Sequence, residues 1–448
     1  MSLKRLFRVA TACLVGLTLY VGAHGDWTRD TPRFLAFWGF LSASYLGVLF
    51  SAGTFRKAVE GADQIPPKDL MWALVLLAAV RVVLAFGEPL LSDDVYRSVW
   101  EGRVQRASGN PFAWTDRPEA AKWAGLRDAQ VFPRINHPDY AAVYPPAWQW
   151  AMRGVNALSD SVTAVKLFAV GCELFFWFGL VELLSARGLP RSRVLVAAAS
   201  PLALIEISGS GHGEAMGMAA LVWTLVHLHR SAQVRASAAL SIAVLSKLVP
   251  AVLAIPWLRR FRIRDYGVMV AIAALLSAPF ADETALWSLQ KYGDYWRFNE
   301  TFFAITAALG GTHRGGIVLS ALLLVTLGLF LDRRHEDVVR SGLVMTVALL
   351  LLIPNVLPWY ALWLLVFLPP ANPSPLALGA LVFTLTAPVA YLVYPDWLGG
   401  ERWQLSWPVR VIEYGLPALA AAAFHRSGPR AHHGEAESTG VSGKALIR

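Results

Sequence analysis

The chain has 448 residues, of which 56% are hydrophobic and only 16% charged, with a formal net charge of +9. Soluble domains carry about 25% charged residues, so the composition excludes a string of soluble domains and describes one polytopic membrane unit. The Lys and Arg residues fall mostly in short loops between apolar runs, not in an aromatic-interleaved basic patch, which excludes nucleic acid as a partner and fits membrane orientation.

A span needs roughly 17–25 mostly apolar residues. In chain order the candidates are 6–22, 34–53, 70–87, 162–185, 193–208, 212–229, 266–280, 315–331, 338–354, 375–394 and 408–425. The first, with Lys4, Arg5 and Arg8 ahead of it, mimics a signal peptide, but the many later spans favour a retained helix. Three pieces are shorter: 236–246 and 248–258, interrupted by Ser246-Lys247 and Pro250, and 358–370, between Pro358 and Pro369. Pro-broken segments at membrane depth normally line a cavity. Cys13 and Cys172 sit inside apolar runs and imply neither a disulfide framework nor a metal cluster.

Basic residues mark the cytoplasmic side. An inside N-terminus places Arg56, Lys57 and Lys68; Arg187, Arg191 and Arg193; Arg230 and Arg235; Arg259, Arg260, Arg262 and Arg264; and Arg333, Arg334 and Arg340 on that side. This holds only if 144–158 does not cross. That stretch is short and carries Arg153, so it reads as an interfacial or re-entrant helix. The predicted fold is all-α: a polytopic transmembrane helical bundle of about 12–14 spans with both termini inside. One domain covers 1–425, with a long extracytoplasmic loop, 88–161, carrying amphipathic helices, and 426–448 reads as a disordered cytoplasmic tail. The outer face then collects loop 88–161, residues 209–214, loop 281–301, the corner 354–360 and loop 395–407.

The unusual polar residues all fall on that predicted outer face. Asp93 and Asp94 follow the third span and open a helix that Ser92 can cap. Capping accounts for one carboxylate and leaves the other for general base catalysis on a hydroxyl, with the two hard to separate. Arg97 and Arg103 either pair with Glu101 or Asp94 or steer an anionic substrate. His137, Asp139 and Tyr144 lie in a Pro-stiffened return toward the membrane and are candidates for sugar or phosphate contact. The Gly-rich hinge 209–213 presents His212 and Glu214 to the same cavity, its small residues letting a substrate approach. Lys247, at the break between two short apolar pieces, needs an anion: a lipid phosphate, or a carboxylate such as Glu206 or Glu214. Asn299, in an aromatic run with Tyr292, Tyr295, Trp296 and Phe298, and the corner residues Trp359 and Tyr360 are further substrate contacts, or else interfacial anchors.

The blocks SDDVYRSVWEGRVQRASGNPF, INHPDYAAVYPP, SGSGHGEA, LSKLVP, RFNETFF and PNVLPWY, in this order over roughly residues 88–365, resemble the bacterial polytopic glycosyltransferases of the GT-C superfamily, and more narrowly their mannosyltransferase-like branch that uses polyprenyl-phosphate sugars. The resemblance implies a multi-pass enzyme of the inner (plasma) membrane with its active site on the extracytoplasmic face and its catalytic acids at Asp93 and Asp94. It implies a hexose donor, mannose by family weight, linked to a polyprenyl phosphate. Transfer would invert the anomeric centre and reach a lipid or glycan acceptor. No cofactor is assigned. A divalent cation stays open, while no residue set marks a metal site. The competing class is a flippase or transporter of lipid-linked sugar, which predicts polar residues along a path through both leaflets.

Overall fold

The computed structural model describes residues 2–54, 65–400 and 402–427. The expected inner-loop residues Arg56 and Lys57 and the tail from 428 lie outside the described residues. Among those described, the secondary structure is helical, with one isolated parallel bridge between Phe298 and Asn355.

The first three helices are α1 (Leu3–His24), α2 (Thr31–Ala52) and α3 (Pro67–Ala85). Their limits follow local rules. The Ser2 hydroxyl caps α1 by accepting the Arg5 N–H. Proline stands in the first turn of α2 and α3, where its missing N–H costs nothing. Gly53, in a left-handed conformation, ends α2. On α1 the buried positions Phe7, Thr11, Leu14, Thr18 and Val21 recur at steps of three and four, the stripe that packs on α2.

Among the described residues, six helices are long and apolar enough to cross a membrane, seven if the bent pair Arg191–Ala198 and Pro201–Gly209 counts as one span. Three apolar stretches form shorter helices, Gln233–Ser246, Val338–Leu352 and Pro358–Phe367, while the runs at 70–87 and 408–425 form helices of 19 and 21 residues. The pieces the sequence marks as broken at Lys247 and near Pro358 are indeed half-length.

Between α3 and α6 (Val162–Ala186) the chain forms α4 (Asp94–Arg106) and α5 (Pro146–Leu158). Each has 13 residues, about 20 Å at 1.5 Å per residue, too short for a hydrocarbon core of about 30 Å. The short helix expected at 144–158 is α5. The two helices pack on each other around Val95, Val99, Trp100, Trp148 and Met152, a small core separate from that of the main bundle.

At the far end of α6 the basic loops meet acidic partners. Arg187 binds Asp337 at 2.8 Å, Arg230 binds Glu182 at 2.5 Å, and Arg260 donates to the Glu336 carbonyl at 3.0 Å. At the near end, the fully buried Lys166 ammonium donates to the Leu84 and Gly87 carbonyls at 2.7 and 2.8 Å. The Leu84 carbonyl also accepts the Gly87 N–H at 3.1 Å, and both carbonyls stand at the C-terminal end of α3, where a cation meets the negative end of the helix dipole. Lys166 thereby fixes the stretch that leads to Asp93.

Candidate active site

Asp93 occupies the position before α4 without capping it, since its side chain accepts no bond from the first turn. The Ser92 hydroxyl takes the Asp94 N–H instead, at 3.3 Å. Capping therefore accounts for neither carboxylate. One side-chain amide holds both: Asn136 Nδ2 donates to Asp93 Oδ1 at 2.9 Å and to Asp94 Oδ1 at 2.5 Å. The second oxygen of Asp94 accepts the Tyr144 hydroxyl at 3.2 Å. Asp93 has Asn136 as its side-chain donor among the described residues, and its side chain is exposed. The Asp93 carboxyl is pushed up to about 6, first by the protein packed around it and then by the charge of Asp94.

Around Asp94 lies a second tier. His212 Nδ1 is 3.8 Å from Asp94 Oδ2, and its Nε2 is 3.4 Å from Glu206 Oε2. The Tyr391 hydroxyl donates to the other Glu206 oxygen at 2.7 Å. Trp359 stacks on the His212 ring at 4.1 Å between centroids. Lys247 binds Glu214 at 2.6 Å, and its ammonium lies 4.3 Å over the Tyr144 ring and 5.9 Å from that of Tyr360. Tyr360 and Tyr292 share a hydrogen bond of 2.8 Å, and Asn355 donates to Tyr292 at 2.5 Å.

Eight of the residues singled out from the sequence therefore converge: Asp93, Asp94, Tyr144, His212, Glu214, Lys247, Trp359 and Tyr360. Arg97, Arg103, His137 and Asn299 are engaged elsewhere. Arg97 binds Glu101 at 3.0 Å and donates to the carbonyls of Asn136, His137 and Tyr140, so it braces the segment that presents Asn136. Arg103 binds Asp128 at 2.7 Å and Asp160 at 2.8 Å. His137 is exposed, in a left-handed conformation, with its ring edge-on to Trp296 at 4.7 Å. Asn299 donates to Glu413 at 2.8 Å and to the Val356 carbonyl.

The hinge glycines differ in purpose from the expectation. A Cβ on Gly211, whose φ is +85°, would sit 2.9 Å from Val95, and one on Gly213 would meet the Trp148 ring at 2.8 Å. Protein, from α4 and α5, fills the space that glycine leaves. Residues 204–209, which lead into the hinge, form a π-helix, a form common at functional positions, and it aims Glu206 at His212.

Sequence reasoning missed Asn136 and gave Tyr391 no role in the site, while Tyr292 and Asn355 lie in the aromatic run and the corner it had marked. Asn136 sits inside the quoted block beside His137, yet a lone amide carries no spacing signal. Tyr391 lies in an apolar run whose composition reads as bundle core. Among the described residues no group of three or more His, Cys, Asp or Glu side chains is arranged to hold a metal ion.

A helical bundle with these blocks around a paired-carboxylate site defines a multi-pass membrane glycosyltransferase of the GT-C type. The family comparison specifies it further. The family model described as "Alpha-(1->6)-mannopyranosyltransferase, N-terminal domain" matches residues 14–263, and the one described as "MptB C-terminal domain" matches residues 299–426. The chain belongs to this mannosyltransferase family. No curated protein matches it.

Proposed function

We propose that the chain moves a mannosyl group from a polyprenyl-phosphate donor to a hydroxyl of an extracytoplasmic lipid or glycan, with inversion at the anomeric carbon and Asp93 as general base. The observation that carries this reading is the asymmetry of the acidic pair. Both oxygens of Asp94 hold hydrogen bonds, whereas Asp93 is exposed, has one side-chain donor and binds a proton more tightly than an ordinary Asp. A general base works best with its pKa near the operating pH and an oxygen free for the acceptor. Asp94 tunes it by standing beside it with the same charge.

In the step, an Asp93 oxygen takes the proton of the acceptor hydroxyl as that hydroxyl's oxygen bonds to the anomeric carbon. The bond from that carbon to the donor phosphate breaks, and its electron pair leaves with the phosphate. Lys247 stands on a different element, at the break after Ser246, and its ammonium offsets the charge that grows on the leaving group. Base and cation approach one cluster from different elements, linked through Tyr144, which hydrogen-bonds Asp94 and lies under the Lys247 ammonium. The polyprenyl chain lies against the neighbouring spans, and residues 1–425 act as one unit. The basic loops at the far end of α6 orient the opening outward by the positive-inside rule.

The test is transfer from polyprenyl-phosphate mannose by the purified full-length protein in lipid discs. Product from the wild type and none from Asp93→Asn is the expected result. Full activity in Asp93→Asn rules out the assigned base, and movement of lipid-linked sugar without product would replace the transferase by a transporter.

A further inference from the structure

Beside the acidic site is a cavity of about 230 Å³ that the transfer reaction leaves unused. Loop 281–301 contributes Arg297, Asn299 and Glu300, the connection after 400 contributes Trp403 and Gln404, and the helix Trp407–Ser427 contributes Arg410. Its walls continue into the site. Trp403 packs edge-on to Tyr394 at 5.4 Å, and the Tyr394 hydroxyl donates to the Leu91 carbonyl at 2.7 Å, two residues before Asp93. On the other wall, the Val356 N–H donates to the Phe298 carbonyl at 2.9 Å, next to Asn355, which holds Tyr292.

The polar atoms of this cavity have a mixed character. Asn299 is fully buried, and its amide nitrogen donates to Glu413 and to the Val356 carbonyl, which fixes the amide orientation. Its Oδ1 accepts no hydrogen bond. Arg410 Nε has no acceptor either, although the same guanidinium donates to the Glu300 carbonyl at 3.3 Å. A buried acceptor and a buried donor therefore both lack a partner, at a cost that a ligand would remove. A hydroxyl both donates and accepts. A phosphate or sulfate at pH 7 is chiefly an acceptor and leaves Oδ1 unsatisfied. Glu300, which neutralises Arg297 at 2.8 Å, opposes an anion too. The half-buried Trp403 indole offers an apolar platform of the kind on which the C–H face of a pyranose packs.

We propose that this cavity is an acceptor subsite that holds one pyranose residue of the glycan chain, away from the residue whose hydroxyl reacts at Asp93. This inference rests on the transferase reading above and deepens it: the acceptor is an oligosaccharide, and chain length governs its affinity.

The experiment uses the full-length protein in lipid discs with polyprenyl-phosphate mannose as donor. Two acceptors are compared: a single-residue alkyl α-mannoside and an alpha-(1->6)-linked manno-oligosaccharide. Trp403→Ala and, separately, the exposed-site change Gln404→Ala are measured for each. The expected result is an oligosaccharide KM raised about tenfold by Trp403→Ala and severalfold by Gln404→Ala, with the KM of the single-residue mannoside, the donor KM and kcat unchanged. Trp403→Phe keeps an aromatic platform and recovers most of the loss. An unchanged oligosaccharide KM in both alanine variants overturns the subsite while leaving the transferase reading intact. Equal weakening of both acceptors overturns it as well, because it marks general damage to the site. A loss of binding to vesicles of anionic phospholipid, with acceptor KM unmoved, assigns the cavity to a lipid headgroup and also overturns it. Absence of product from the wild type with either acceptor is the separate failure of the transferase reading.

Discussion

Arg81 and Glu173 meet at 2.7 Å between α3 and α6, each with no more than 1% of its side chain exposed, whereas Asp93 and Asp94 stand adjacent with the same charge and with no Lys or Arg ion-paired to them among the described residues. The inner pair is closed on every side. The Arg81 guanidinium lies over the Trp177 ring at 4.5 Å and donates to the Leu77 carbonyl, and Ser208 reaches the second Glu173 oxygen at 3.5 Å. A charge buried in a membrane bundle needs such a counter-charge. The outer pair has a candidate counter-ion nearby in sequence, Arg97, and the fold turns it toward Glu101 and three carbonyls instead. Compensated charge holds helices together, while uncompensated charge at an opening retains its affinity for a proton.

The sharpest way to break this contrast is to neutralise the outer pair. Asp93→Asn should lower kcat for mannosyl transfer by about 10²–10⁴-fold, the usual contribution of a general base, with the thermal unfolding midpoint in detergent unchanged. For the inner pair the expected effect is reversed. Arg81→Met should destabilise the fold by about 3–5 kcal/mol by stranding Glu173, and the double change Arg81→Met with Glu173→Met should recover most of it. Denaturant unfolding in mixed micelles measures both. Activity per folded molecule should stay near that of the wild type.

Lys247 lies between these extremes, ion-paired to Glu214 but set over Tyr144, which holds Asp94. Replacing it together with its partner, Lys247→Met with Glu214→Gln, avoids leaving a buried carboxylate. The double variant should lose about 10²-fold in kcat, as expected for removal of a group that stabilises developing charge. A change confined to stability would instead place Lys247 with the inner pair.

The smallest effect is in the pH profile. Below a pKa of about 6 Asp93 carries a proton and cannot act as base, so kcat should rise with pH through about 6 and level off above it. Asp94→Asn removes the adjacent negative charge, which favours ionised Asp93 and lowers its pKa. The acid limb should then move to lower pH, so the ratio of activity at pH 5 to that at pH 7.5 rises. A limb that stays in place detaches the titration from the carboxylate pair.

Much of the architecture was legible from the chain. Hydropathy marks the apolar runs, and the break at Ser246-Lys247 is where the helix Gln233–Ser246 stops. The short apolar stretch 144–158 corresponds to α5, a helix of 13 residues. The helical spacing of Arg97 and Glu101 made their ion pair one of the readings open for Arg97, because neighbours on one helix face are fixed by 3.6 residues per turn, and the fold selects it. The span count was less legible, since hydropathy does not distinguish one full crossing from two half-length helices meeting at a corner. The site was legible in its acids and unreadable in their partners. Asn136 lies 43 and 42 positions from the carboxylates it holds, and Tyr391 lies 185 from Glu206.

From the sequence alone came the helical membrane class, the placing of basic residues in one set of loops and the acidic doublet that opens α4, because hydropathy, charge and helix periodicity are local properties of a chain. Only the tertiary structure decided that Asp93 stays open while Asp94 is tied, that Lys247 faces Glu214, and that the hinge glycines yield their space to Val95 and Trp148. Those outcomes depend on which helix ends the packing brings within hydrogen-bond reach, and no local pattern encodes a contact between residues so far apart.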